Sequence, residues 1–193
     1  MIRRVINALD GAASIGSIHL SGPTEACVKS DAGLTSLIEE NHIDWTPPGP
    51  SPSTSAHDML GRFPESQPVL ITTADHPLLT GEIVDHFCRD SAQSGCDVVV
   101  GLAPYDLIRQ TYPDLKKTVL RFRDGGYCGC NLFAFLTADG RRVADFWRQV
   151  EKDRKKPLVV IRLLGLWALL RYKMGWLSLD AALAGLSRRA SAW

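Results

Sequence analysis

An apolar run from Val69 to Ala74 ends abruptly in Asp75, His76 and Pro77. A carboxylate at the tip of a strand written for the interior has two uses. It either caps the turn into a helix begun at Thr80, or it faces a crevice as a cation ligand. Ligands of open α/β sheets bind outside the carboxyl ends of the strands. Pro77 favours this geometry, because its ring disfavours helix at His76 and swings the chain aside. A lone carboxylate there suits Mg²⁺, which takes one or two carboxylates and completes its shell with water and phosphate oxygens. Three further groups carry usable chemistry. Asn131 opens an apolar strand after Cys128-Gly129-Cys130, and either points into a crevice or bonds its own turn. Lys155 and Lys156, just before Pro157, either meet a phosphate as point charges or form a solvated helix end. His76 either positions a phosphate or lies against the turn at Leu78 and Leu79.

These residues need a scaffold, and the hydrophobic spacing describes one. Ile2, Val5, Ile6 and Leu9 stand at i, i+3, i+4 and i+7, which predicts a helix closing at Gly11. Residues 17–22 read as a short strand and residues 33–41 as a weak helix. Residues 44–55, "DWTPPGPSPSTS", are rich in Pro, Ser and Gly and read as a loop. Residues 56–63 read as helical. Val69 to Ala74, a Thr80-capped helix carrying Ile83, Val84, Phe87 and Cys88 on one face, and the apolar run from Asp97 to Ala103 make a β-α-β unit. "KTVLRFRD" and "CNLFAFL" read as two strands joined by "GGYCG". Three helices follow: a stripe of Val143, Phe146, Trp147 and Val150, a second from Leu158 to Met174, and a third capped by Ser178. Strands alternating with helices predict an α/β three-layer sandwich with a mostly parallel sheet in one domain over residues 1–193.

Composition narrows the partners. The 193 residues are 45% hydrophobic, enough for a sizeable core. Lys and Arg number 22 against 21 Asp and Glu, a formal net charge of +1, so no global field recruits nucleic acid or an anionic membrane. There is no basic stripe with interleaved aromatics. The most membrane-like segment, from Leu158, is broken by Arg162 and Arg171. Five cysteines at irregular spacing, with no long apolar leader at the N-terminus, predict a cytoplasmic protein with ordinary thiols. Cys128 and Cys130 lack the second Cys/His pair of a zinc site.

"VLITTADHPLLT", the loop "GPSPSTS", the segment "GGYCGCNLF" and "DRKKPL" together resemble the MobA-like NTP transferase family, nucleotidyltransferases of GT-A-type fold. The opening "MIRRVINAL" is similar to the helix that follows that family's nucleotide loop. The resemblance implies transfer of a nucleotidyl group from CTP or GTP to a small phosphorylated acceptor, with release of pyrophosphate and with Mg²⁺ (or Mn²⁺) on the triphosphate. It implies that Asp75 is the metal-binding aspartate, that Asn131 faces the acceptor or metal, and that Ser53 and Ser55 lie in a loop passing the base or ribose. His76, Lys155 and Lys156 join them as candidates for binding nucleotide or substrate. A glycosyltransferase of related fold is a weaker alternative, because that group shows Asp-x-Asp where position 77 here is Pro.

The resemblance also implies two elements this sequence lacks: a glycine-rich "LAGGxSxRxGxxK" loop ahead of Met1, and a strand with an aspartate-containing element after "LSRRASAW". The expected fold is therefore truncated at both ends, with an open edge beside Val69 to Ala74. The 193 residues alone are expected to bind NTP·Mg²⁺ poorly. A start placed too late and a catalytically impaired, family-derived binding module are the two readings of that departure.

Overall fold

The computed structural model describes residues 1–115, 118–152 and 166–190. It divides into two compact units: Met1–Val99 with Asn131–Arg141, and Val100–Cys130 with the described residues from Arg142 onward.

The first unit opens with α1 (Ile2–Asp10), closed by Gly11, as its apolar spacing predicts. Two faces of this helix serve two clusters. Val5 and Ala8, with Ala12 just past the helix end, pack with Leu79, Val84 and Leu132, while Ile6 packs with Leu37 and Ile43. Strand β1 (His19–Ser21) pairs in parallel with β2 (Asp44–Thr46), with His19 opposite Asp44 and Ser21 opposite Thr46. Between them run α2 (Glu25–Ser30) and α3 (Ala32–Glu40). Thr24 and Asp31 cap these helices by accepting from the backbone N–H of Cys27 and Leu34.

The Pro/Ser/Gly-rich stretch is not one loop. Its first three residues are β2, and Pro52–Leu60 is helix α4. Pro52 sits in the first turn, where its missing N–H costs nothing, and Ser51 caps the helix by accepting from Thr54 N–H at 3.2 Å. Only residues 47–51 remain as connection, and Ser53 and Ser55 belong to the first turn of a helix.

Strand β3 (Val69–Thr72) leads to α5 (Gly81–Gln93), which Thr80 caps by accepting from Ile83 N–H at 3.3 Å. Val84 is fully buried there and Phe87 and Cys88 pack beside it, whereas Ile83 is 42% exposed and leaves the expected stripe. Strand β4 (Val98–Pro104) follows. The larger sheet has the order β3-β6-β4, where β6 is Gly125–Phe135. Strand β6 runs antiparallel to β3, with Val69 opposite Phe135 and Thr72 opposite Leu132. Among the described residues β3 is an edge strand, and the parallel pairing expected from the sequence is found between β1 and β2. The start of α7 (Ala138–Lys152) fits closely: Leu136 N–H donates to the Asp97 carbonyl, and a Cβ on Gly140 would collide with that same oxygen. Chemically the chain is an α/β protein, as expected.

In the second unit α6 (Tyr105–Thr111) follows β4, and β5 (Leu120–Phe122) pairs antiparallel with Gly125–Tyr127 of β6. "GGYCG" is therefore strand, and the hairpin turns through Arg123 and Asp124 alone. Gly125, at φ 145°, makes the tight return that a side chain would resist. Helices α8 (Leu166–Lys173) and α9 (Leu179–Ala190) complete the unit. Ser178 caps α9 as expected, and Asp124 reinforces that end by accepting from Leu179 N–H at 3.0 Å. The side chains of Phe146, Trp147 and Val150, the start of the Leu158 helix, and Lys155 and Lys156 lie outside the described residues.

Candidate functional site

Asp75 comes three residues after β3 ends, in an exposed turn at the strand's carboxyl end. Among the described residues its carboxylate has no hydrogen-bond or ion-pair partner, so it does not cap α5; Thr80 does that. The carbonyl of His76 accepts from Leu79 N–H at 3.3 Å and closes the turn. Leu79 is buried and anchors the loop in the core beside α1. Asp75 is thus held at the rim while its neighbour Leu79 is pinned inside.

Asn131 adopts φ 54°, a left-handed conformation that costs most side chains about 1 kcal/mol or more and that asparagine tolerates best. The β3–β6 ladder runs up to Leu132 opposite Thr72 and goes no further. Left-handed backbone at Asn131 ends it. By the same register Asn131 and the segment after Thr72 flank one end of the ladder, so Asp75 and Asn131 belong to the same end of this sheet. Thr72 adds a group that the sequence did not flag: its Oγ1 is buried and has no hydrogen-bond partner among the described residues. Leaving a buried hydroxyl unpaired costs about 1–3 kcal/mol, and nothing in a strand-forming threonine signals it from sequence.

Ser53 and Ser55 gather elsewhere in the first unit. Ser55 Oγ accepts from Gly49 N–H at 2.8 Å, and Ser53 Oγ lies 3.2 Å from Ser51 Oγ. These bonds stiffen the β2–α4 connection. Beside it is a cavity of about 180 Å³, whose walls include Ser21 and Thr46, the last residues of β1 and β2. Ser55 lines it, while Ser53 does not. Asp58 in the last turn of α4 and Arg62 two residues past its end also line the cavity, a charged pair that sequence reasoning missed: residues 56–63 read as helical, but nothing local shows that they meet the ends of β1 and β2. Among the described residues no hydrogen bond or ion pair joins Ser53 or Ser55 to Asp75.

The described residues contain no cluster of three or more His, Cys, Asp or Glu side chains able to hold a metal. A single unpartnered carboxylate with an amide at the same sheet end fits a cation that takes few protein ligands and keeps water and phosphate oxygens in its shell, as Mg²⁺ does. It does not fit a closed zinc site. Among the described residues no helix is long and apolar enough to cross a membrane.

Ser21, Thr46 and the segment leading to Asp75 stand at the carboxyl ends of β1, β2 and β3, the strand ends at which open α/β sheets bind ligands. Residues 1–121 match the MobA-like NTP transferase domain, and the chain belongs to that family. By that membership it is a nucleotidyltransferase. Its fold is similar to a hypothetical transferase from Thermus thermophilus, at 27% identity and a TM-score of 0.77, over 99% of this chain and 75% of that one. It also resembles CMP:2-keto-3-deoxy-manno-octonic acid synthetase complexed with CTP (11% identity, TM-score 0.54, 84% and 73% of the two chains). A third likeness is to 4-diphosphocytidyl-2C-methyl-D-erythritol synthase from Anaerococcus prevotii (12%, 0.53, 76% and 64%). No curated protein matches the chain.

Proposed function

We propose that this protein transfers a nucleotidyl group from CTP or GTP to a small phosphorylated acceptor. An oxygen of the acceptor phosphate attacks the α-phosphorus, the bond from that phosphorus to the bridging oxygen of the β-phosphate breaks, and pyrophosphate leaves with the electron pair. Such chemistry asks a protein for positioning and charge rather than for a covalent nucleophile.

The observation that carries the reading is the unpartnered Asp75 carboxylate at the carboxyl end of β3. Asp75 is the residue to hold Mg²⁺ (or Mn²⁺), with the Asn131 carbonyl oxygen a second oxygen donor at the same end. The cation, when bound, neutralises the charge that builds on the triphosphate. Thr72 Oγ1 is available to donate to an acceptor or phosphate oxygen. Ser55 and the cavity beside it take the nucleoside end, Ser53 stiffens that loop, and His76 holds the Asp75 turn in shape. Lys155 and Lys156 remain candidates to meet phosphate. A soluble cytoplasmic enzyme is the setting this reading implies.

The test uses the full gene product, including any in-frame residues its DNA encodes ahead of Met1. Pyrophosphate release is measured from CTP and GTP with a panel of small phosphomonoesters, with and without EDTA. Release that needs the metal and falls about 100-fold or more in Asp75→Asn, at an unchanged melting temperature, is the expected result. Full activity in Asp75→Asn overturns the assignment.

A further inference from the structure

The cavity on the β1–β2 sheet has a feature that nucleotidyl transfer alone does not require. It is lined by two charged residues, Asp58 and Arg62, and by three hydroxyl-bearing ones, Ser21, Thr46 and Ser55. Arg62 is held by Asp44, with Nη1 3.5 Å from Oδ2, and Asp44 is in turn 3.0 Å from His19 Nδ1. Asp58 Oδ1 lies 3.3 Å from His57 Nδ1. Pro47 and Met59 add apolar surface.

At about 180 Å³ the cavity is smaller than the roughly 300–1,000 Å³ that encloses a whole drug-sized ligand, so it takes one end of a nucleotide. Asp58 repels a triphosphate, and Arg62 is already paired with Asp44, so the lining offers no net positive charge to hold one. The uncharged, flat base is the end that fits, with apolar surface for its faces and polar groups for its edge.

Resting on the reading above, we infer that Asp58 and Arg62 select a base bearing an exocyclic amino group. An ionised Asp58 only accepts hydrogen bonds, and Arg62 only donates them. Cytosine offers a donating 4-amino group beside ring and carbonyl acceptors, and guanine offers its 2-amino donor together with O6 and N7 acceptors, so each satisfies both side chains. Uracil replaces the amino group with a carbonyl oxygen, which faces the carboxylate lone pair to lone pair. Hypoxanthine keeps the guanine skeleton and loses the 2-amino donor. A site that expects a donor rejects the analogue without it, because its own polar group is left unpaired.

The experiment measures equilibrium binding of four triphosphates to the full gene product by calorimetry: CTP against UTP, and GTP against inosine triphosphate. The amino-bearing member of at least one pair is expected to bind about tenfold tighter or more, the worth of one charge-assisted hydrogen bond. Asp58→Asn, checked for folding by its thermal melt, is expected to bring that ratio to within about twofold. Equal affinity within both pairs, or an undiminished ratio in Asp58→Asn, overturns the inference while the transferase reading stands. Failure of all four triphosphates to bind overturns both. Should Asp58→Asn not fold, the two ligand pairs decide alone, because they change only the base.

Discussion

At the scale of single residues, Asn131 separates a conformational requirement from a chemical one. Its φ of 54° is left-handed, where glycine is unstrained and a β-branched side chain is strongly disfavoured. Asn131→Gly is expected to keep stability within about 1 kcal/mol of the parent, and Asn131→Val to lose about 1–2 kcal/mol, read as urea midpoints at constant m-value. Both should lose transferase activity if the amide itself works at the site. Activity retained in Asn131→Gly would leave the residue a purely structural role. Asp75 and Thr72 pose the same division differently, since one is exposed without a partner and the other buried without one. Neither condition helps the fold, which is the ground for proposing both as binding groups.

At the scale of elements, two polar side chains tie helices to the loops around them. Arg141, at the start of α7, donates to four carbonyls: Leu60 at 2.5 Å, Phe63 at 2.8 Å, Pro64 at 2.6 Å and Gln67 at 2.9 Å. It closes the carboxyl end of α4 and the loop behind it, a task for a planar fork of donors that lysine cannot copy. Arg141→Met is expected to cost about 2 kcal/mol or more, seen as a lower urea midpoint, with Arg141→Lys recovering only part. Asp85 on α5 accepts from Ser14 Oγ at 2.7 Å, Ser14 N–H at 2.8 Å and Ala13 N–H at 3.2 Å, joining α5 to the loop after α1. The hydrogen bond from the Ser14 hydroxyl, followed by that from its backbone N–H, holds the Asp85 carboxyl below the usual aspartate value. A group with a depressed native pKa stabilises the fold fully above its unfolded value of about 3.9, and that contribution disappears as pH falls through the lower native value. Thermal melts should therefore show wild type and Asp85→Asn converging as the pH drops below about 4. A gap that stays constant to pH 2 would remove Asp85 from the acid response.

At the scale of the whole molecule, the near-cancellation of charge has a consequence for behaviour in solution. A formal charge of +1 at pH 7 gives little mutual repulsion between copies. Large apolar side chains also stand in solvent, among them Trp176 at 60% and Leu107 at 59% exposure. Light scattering across pH 5 to 9 should find the strongest self-association near pH 7 to 8, weakening on either side as net charge grows. A flat profile would show that charge is not what limits solubility. The same balance gives an anion no long-range field to follow, so any recognition of one rests on local groups.

Much of this was legible in the residues alone. The stripe Ile2, Val5, Ile6 and Leu9 specifies α1, and Thr80 and Ser178 specify the starts of α5 and α9, because periodicity and capping are local physics. Asp75 stood out for the same reason: a charge ending an apolar strand is visible without a fold. Family membership followed from short motifs of the same local kind. What only the tertiary structure decided depends on partners distant in sequence. Residues 44–46 are a strand because β1 lies beside them. Asn131 is left-handed because one strand must leave the β3 ladder there, and Thr72 is unsatisfied because its neighbours bury it. Asp58 and Arg62 line a cavity only because the ends of β1 and β2, distant in sequence from Arg62, are folded beside them. Local rules settle which elements form and which residues are chemically capable; the pairing of strands settles which of those residues share a site, since that pairing is set by contacts no short window of sequence contains.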